Sequence, residues 1–190
     1  YGEGDRFMGV MVPQIRQVAR QYAGLSLTET DGLLQSEWHE VRQCGLFILV
    51  GKCKKRVTKD AFDFYLAHTS RINNWDLVDL SAPKMLGHWL LAPSEWLATA
   101  EEKRRMMDKM AESQALWRQR MVMVSTWYPS RQGDPSWALR YAERFLHHPH
   151  DLMHKATGWM LREVGQKTPE GQGDLPERTA TASPSPLPHK

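Results

Sequence analysis

Nine residues, Arg71-Ile72-Asn73-Asn74-Trp75-Asp76-Leu77-Val78-Asp79, carry a helix-capping amide, a large aromatic and two carboxylates. Asn74 is a good N-cap, because its side-chain oxygen can accept an orphan backbone N–H of the first turn. A helix starting there places Trp75 and Asp79 at i and i+4, roughly 40° apart around the axis, with Leu77 about 160° from Asp79. The apolar side then turns inward while Trp75 and Asp79 look out together. A carboxylate beside an indole wall suits a cationic ligand. The same spacing also fits a capped helix with an ordinary surface aspartate.

Two further residues stand out. Arg120 has Trp117, Val124 and Trp127 at i−3, i+4 and i+7, so it lies on an aromatic stripe while Arg118 projects elsewhere. A guanidinium there needs a carboxylate, a phosphate or an aromatic stack to offset its desolvation, or else its stem snorkels to water. Trp159 falls at the border between a Leu152–Ala156–Met160 stripe and a basic edge made by Lys155 and Arg162. That position suits a ligand-facing aromatic and a half-buried structural one equally. Glu163 lies close to the same stripe and is expected to pair with an arginine.

Other patterns carry no chemistry. His147-His148-Pro149-His150 with His154 straddles a helix boundary and lacks the H-E-x-x-H spacing, so no metal is expected. Walker, dinucleotide-binding and nucleophile-elbow motifs are absent from the sequence, and no cofactor is expected. Cys44 sits in an apolar helix and makes a poor nucleophile.

The elements that position these residues are helical. Period-3.6 patterns predict helices over 13–22, 28–36, 39–52 and 59–68. The helix capped by Asn74 follows, and a separate one opens at Ser81-Ala82-Pro83 and runs to about Leu91. Helices are then expected over 94–112, with the Glu101–Arg105 charge run on a solvated outer face, and over 116–130, 135–147 and 149–164. Convincing period-two alternation is missing, so the fold class is all-α. Short helices in pairs with brief loops favour stacked helical hairpins of HEAT type, whose period of about 40 residues allows four or so.

The chain has 190 residues, 41% hydrophobic and 25% charged, as expected of one globular domain with a tail. Its net charge of +3, from 25 basic and 22 acidic residues, is mildly compatible with nucleic acid. Eight tryptophans interleaved with basic residues would suit stacking and phosphate contact. Two cysteines make no disulfide framework, and a cytoplasmic setting is the default. No apolar run reaches the length of a transmembrane helix and no signal peptide is visible. The chain opens on a loop-like Tyr1-Gly2-Glu3-Gly4, so a further N-terminal segment is expected before it. Residues 168–190 are rich in Pro and Ser and read as a disordered tail following a domain over 1–167.

Five segments carry a resemblance: 1–10 (Tyr-Gly-Glu-Gly-Asp-Arg-Phe-Met-Gly-Val), His39-Glu40-Val41-Arg42, 73–79, 116–120 (Leu-Trp-Arg-Gln-Arg) and 154–163 (His-Lys-Ala-Thr-Gly-Trp-Met-Leu-Arg-Glu). Together, in register from Tyr1 to about Lys167, they resemble the AlkD-like DNA alkylation repair family. The Trp-x-x-x-Asp and Gly-Trp-x-x-Arg-Glu segments are its most specific parts. The resemblance implies a right-handed superhelical stack of HEAT-like hairpins that holds duplex DNA in a positive concave groove. It implies a monomeric DNA glycosylase, without cofactor, that removes cationic N3- and N7-alkylated purines. Asp79, Trp75 and Trp159 would then face the damaged nucleotide, and Arg120, Arg162 and Lys155 would contact DNA. Relatives usually have more chain at both ends, and Met11 stands where some carry a polar residue. A non-catalytic reader of DNA structure and a protein-interaction scaffold are the rival expectations.

Overall fold

A computed structural model describes residues 4–93 and 98–167. Its elements are α1 (Val12–Gln21), α2 (Leu27–Leu34), α3 (His39–Lys52), α4 (Lys59–Ala67), a 3-10 turn (Thr69–Arg71), α5 (Trp75–Leu91), α6 (Ala100–Ala111), α7 (Leu116–Ser125), α8 (Trp127–Arg131), α9 (Ser136–Phe145) and α10 (Asp151–Lys167). The described residues are all-helical apart from one isolated bridge between Arg6 and Trp38. No helix among them is long and apolar enough to cross a membrane. The expected tail over 168–190 lies outside the described residues.

Local chemistry sets the helix starts. Ser26 and Glu29 form a capping box on α2, and Thr99 and Glu102 do the same on α6. Thr58 caps α4 by accepting the Ala61 N–H. The α6 start at Ala100 is later than the sequence expectation of residue 94, and residues 94–97 lie outside the described residues.

The packing order follows the chain. α3, α5, α7 and α10 lie side by side in that sequence, α1 covers the far side of α3, and α2, α4, α6 and α9 each back the helix that follows them. Between them runs one apolar core that includes Leu46, Leu49, Leu77, Val78, Leu86, Met121, Met123 and Met160. Burial of that surface, at about 25 cal/mol per Å², is the main force holding the helices together.

Three expectations are corrected. First, 75–91 is one helix, with Pro83 inside it rather than at a second helix start. The interior proline removes one N–H, but the ladder resumes on both sides, and Ser81 Oγ donates to the Leu77 carbonyl at 2.7 Å. Second, the expected helix over 116–130 breaks after Ser125, so α7 and α8 are separate. Pro129 has no N–H to give the Ser125 carbonyl, and Thr126 and Ser130 hydroxyls bond locally instead. Third, Lys103 does not join the solvated face of α6. It is buried, and its ammonium donates to the Leu90 and Ala92 carbonyls, closing the C-terminus of α5.

Candidate functional site

The start of α5 is fixed from several sides. Asn74 accepts the Trp75 N–H through its side-chain oxygen at 2.8 Å. Asp76 Oδ1 accepts the Leu77 N–H, and its Oδ2 accepts from Gln43 at 3.0 Å and meets His39 Nε2 at 2.7 Å. Leu77 and Val78 are fully buried. With those two inward, Trp75 is left 46% exposed, and Asp79 stands one turn further along the same side.

Asp79 is not a free surface acid. Arg120 Nε donates to its Oδ1 at 2.9 Å and Arg120 Nη2 to its Oδ2 at 2.8 Å, a two-point fork. The third arm, Nη1, donates to the Leu152 backbone carbonyl at the start of α10. One guanidinium therefore ties α5, α7 and α10 together. The Arg120 side chain is 6% exposed and that of Asp79 21%. Burial pushes the Asp79 carboxyl above its ordinary value; the guanidinium pulls it back part of the way, and the Asp76 charge adds to the rise.

The remaining sequence candidates lie on α10. Lys155, Trp159 and Arg162 share an arc of about 60° at 100° per residue. Trp159 is half-buried, leans on the core, and its indole Nε1 donates to Glu163 Oε1 at 3.4 Å. Glu163 also meets Arg131 Nη1 at 3.4 Å, the arginine partner expected for it. Lys155 is exposed and pairs with Asp151 at 2.7 Å, one turn back. Arg162 is exposed. Leu152 lies two turns before Trp159 on nearly the same line, so the Arg120 contact and the indole are about 10 Å apart along the axis.

Spacing within single helices did not reveal the cluster behind Trp75. Asp5, almost fully buried, binds His39 Nδ1 at 3.0 Å, an Arg42 guanidinium nitrogen, Asn73 Nδ2 at 3.2 Å and Asn74 Nδ2 at 3.4 Å. His39 thus bridges Asp5 and Asp76. Burial alone would hold its imidazole below the ordinary value, but the two carboxylates more than offset this and raise it. Next to it, the Glu40 carboxylate accepts the backbone N–H groups of Met8, Gly9 and Val10. Gly9 makes that wrap possible with φ +78°. The available signal was compositional: His39, Glu40, Arg42 and Gln43 are polar in an otherwise apolar helix, and buried polar groups need partners.

No three His, Cys, Asp or Glu side chains among the described residues converge as a metal-binding set. His154 Nε2 instead meets the His148 carbonyl, and His148 Nε2 meets Gln119 at 2.9 Å. What the site offers is a carboxylate fixed by Arg120, one helical turn from an exposed indole.

Comparisons with curated proteins and with solved structures returned no match. A family model described as DNA alkylation repair enzyme matches residues 1–174. The chain therefore belongs to the DNA alkylation repair enzyme family.

Proposed function

We propose that the protein is a DNA glycosylase that hydrolyses the N-glycosidic bond of cationic N3- and N7-alkylated purines in duplex DNA. The observation that carries this reading is the Asp79 carboxylate, held at two points by Arg120 and one helical turn from an exposed indole. An N-alkylated purine already bears positive charge, so it leaves with the bonding electron pair as a neutral base and needs no general acid. The C1′–N bond breaks, and positive charge develops on the sugar as an oxocarbenium ion. A preorganised carboxylate stabilises that charge, as in glycoside hydrolysis. Water then adds to C1′, and its proton passes to Asp79 or to solvent.

Trp75 and Trp159 present π faces to the cationic nucleotide, worth about 0.5–2 kcal/mol each. Lys155 and Arg162 contact backbone phosphates. Arg120 acts through the acid: its fork aims Asp79 and favours its ionised form. The recurrence of α3, α5, α7 and α10, which begin 35–41 residues apart, supports a right-handed HEAT-like superhelix over 1–167. We place the protein as a monomer in the cytoplasm, associated with the nucleoid when bound.

The test is release of 7-methylguanine or 3-methyladenine from alkylated duplex DNA by the purified chain. Asp79→Asn is expected to slow release by about 10²–10³-fold, the size of losing one preorganised electrostatic group. Unchanged release would put the chemistry elsewhere. A second reading, a DNA-structure-binding relative without catalysis, draws support from both Asp79 oxygens already accepting from Arg120. It predicts DNA binding with no base release from either form.

A further inference from the structure

The turn between α9 and α10 is tied by imidazole lone pairs. The Leu152 N–H donates to His150 Nδ1 at 3.1 Å, and the His150 N–H donates to His148 Nδ1 at 3.1 Å. A backbone N–H can only donate, so both Nδ1 atoms are unprotonated and both rings are neutral. His148 uses its Nε2–H on Gln119 Oε1 of α7 at 2.9 Å. The His150 carbonyl accepts the Met153 and His154 N–H groups, so His150 is the N-cap of α10. Ser, Thr, Asp and Asn are the usual caps, and an imidazole can take their place only while it is neutral.

The capped residue is the one that Arg120 holds. Leu152 is buried, with its N–H fixed by His150 and its carbonyl by Arg120 Nη1. The other two contacts of that guanidinium grip Asp79. Direct contacts thus run from His148 through His150, Leu152 and Arg120 to Asp79. Protonation at Nδ1 turns the acceptor into a donor facing another donor, and puts positive charge at the positive end of the α10 dipole. Burial holds His148 below its ordinary value, and the charges of His150 and His154 add to this. Its neutral form is the one the fold favours, a contribution present above about pH 6.5 and lost as pH falls through the folded value. Charged and titratable groups face the two rings from each neighbour. Helix α10 brings Asp151, His154 and Lys155, and Asp151 is held below its ordinary value chiefly by Lys155. Helix α7 brings neutral Gln119 and Arg120, with Asp79 of α5 behind that arginine. Helix α9 brings the Phe145 ring, 6.1 Å from His148. His154 donates from Nε2 to the His148 carbonyl, a bond that survives protonation.

We propose that His150, backed by His148, is a positioning residue for Asp79 and makes the site proton-sensitive. The two-state element is the first turn of α10. With neutral rings the turn is formed, the Leu152 carbonyl points at Arg120, and the Arg120–Asp79 fork is set. With protonated rings the turn frays, Arg120 loses its third anchor, and the fork loosens. Base release is then throttled between about pH 8 and about pH 5, the interval in which imidazole side chains change charge. The inference rests on the reading above in taking Asp79 as the acid of the reaction; the coupling of the rings to Arg120 does not depend on it.

The test compares the full native chain with His150→Ala and with a His148→Asn/His150→Asn double variant. Asparagine accepts the same N–H groups, as an N-cap at 150 and in an Asx turn at 148, and does not titrate. The first readout is the chemical shift of the Arg120 Nε–H, which the fork displaces from that of a free guanidinium. It should move toward the free position in the native chain as pH is lowered from about 8 to about 5, lie near it throughout in His150→Ala, and stay displaced across the range in the double variant. The second readout is base release from alkylated duplex. His150→Ala should lower it by up to about 10²-fold at about pH 7.5, the scale of a misplacement of about 1 Å, and the double variant should rescue it and flatten its pH response. A cap that only stabilises α10 would lower the melting temperature of His150→Ala while leaving the Arg120 shift and the pH profiles in place, and the inference would fall. A native Arg120 shift indifferent to pH, or a double variant that keeps the native profile, also overturns it. If no form releases base while the Arg120 shift still follows His148 and His150, the coupling stands and the glycosylase reading alone falls.

Discussion

Arg120 grips both oxygens of Asp79, at 2.9 and 2.8 Å, while its remaining arm holds the backbone of Leu152. The acid of α5 is therefore positioned by α7, and α7 by α10. Removing the guanidinium should show this in two ways. Arg120→Met leaves a largely buried carboxylate without its counter-charge, a loss of about 3–5 kcal/mol for buried pairs and nearer the lower figure here, because Asp79 retains some exposure. Denaturant unfolding reads that loss.

The same substitution moves the pH profile of base release. Asp79 must be ionised to stabilise a cation. Burial already raises its carboxyl, and Arg120 is what opposes the rise. Rate should fall as pH drops through the Asp79 value, and in Arg120→Met that acid limb should move to higher pH. A limb that stays in place would mean that another group controls the ionisation.

The buried imidazole of His39 makes a prediction of opposite sense. It faces Asp5 and Asp76, with Arg42 on the first, Gln43 on the second and the Phe7 ring 4.8 Å away. Its folded value is raised above the ordinary 6.5. The stabilising form is thus the protonated one, present in full below 6.5 and lost as pH rises through the folded value. Unfolding midpoints measured from about pH 6 to pH 9 should show the gap between the native protein and His39→Gln narrowing with rising pH. A constant gap would mean a ring that stays neutral throughout.

These two cases mark what the sequence could carry. Trp75, Asp79 and Leu77 sit on one helix, so their faces follow from a fixed angle per residue, and the inward Leu77 and outward Trp75 were legible. Arg120 could be read as needing a partner, because its stripe is apolar, but carboxylate and phosphate were indistinguishable from its own helix. The Asp5–His39–Asp76 cluster joins residues 34 and 37 positions apart, and no local period encodes such pairs. Pro83 misled for a different reason. Proline is favoured at helix starts and costs about 3 kcal/mol inside, yet burial of Ala82, Met85, Leu86 and Trp89 carries α5 through it.

Gly87 should tolerate no side chain. A Cβ there would stand 2.6 Å from the Ser125 carbonyl oxygen and 2.8 Å from Tyr128 Cβ, where α8 crosses α5. Gly87→Ala must push α8 outward, and overpacking of this kind costs about 1–3 kcal/mol. The melting temperature should fall by roughly 2–4 °C per kcal/mol. Because α8 carries Tyr128, the shift also opens the ring contact with His88. A full-strength melting transition would mean that the two helices can slide apart freely.

Trp75 and Trp159 should separate stability from chemistry. Trp75 is 46% exposed at the first position of its helix, so Trp75→Ala should leave unfolding within about 0.5 kcal/mol of the native protein, as other exposed substitutions do. Its indole contribution to a cationic nucleotide, about 0.5–2 kcal/mol, corresponds to a fall in base release of roughly 2- to 30-fold. Trp159 is half-buried and packed on the core, so Trp159→Ala should lower both stability and release. Phe at position 75 keeps a π face and should recover part of the lost rate. If Trp75→Ala instead unfolds the chain while Phe fails to restore release, the exposed indole is a structural post, and the cation meets Asp79 without it.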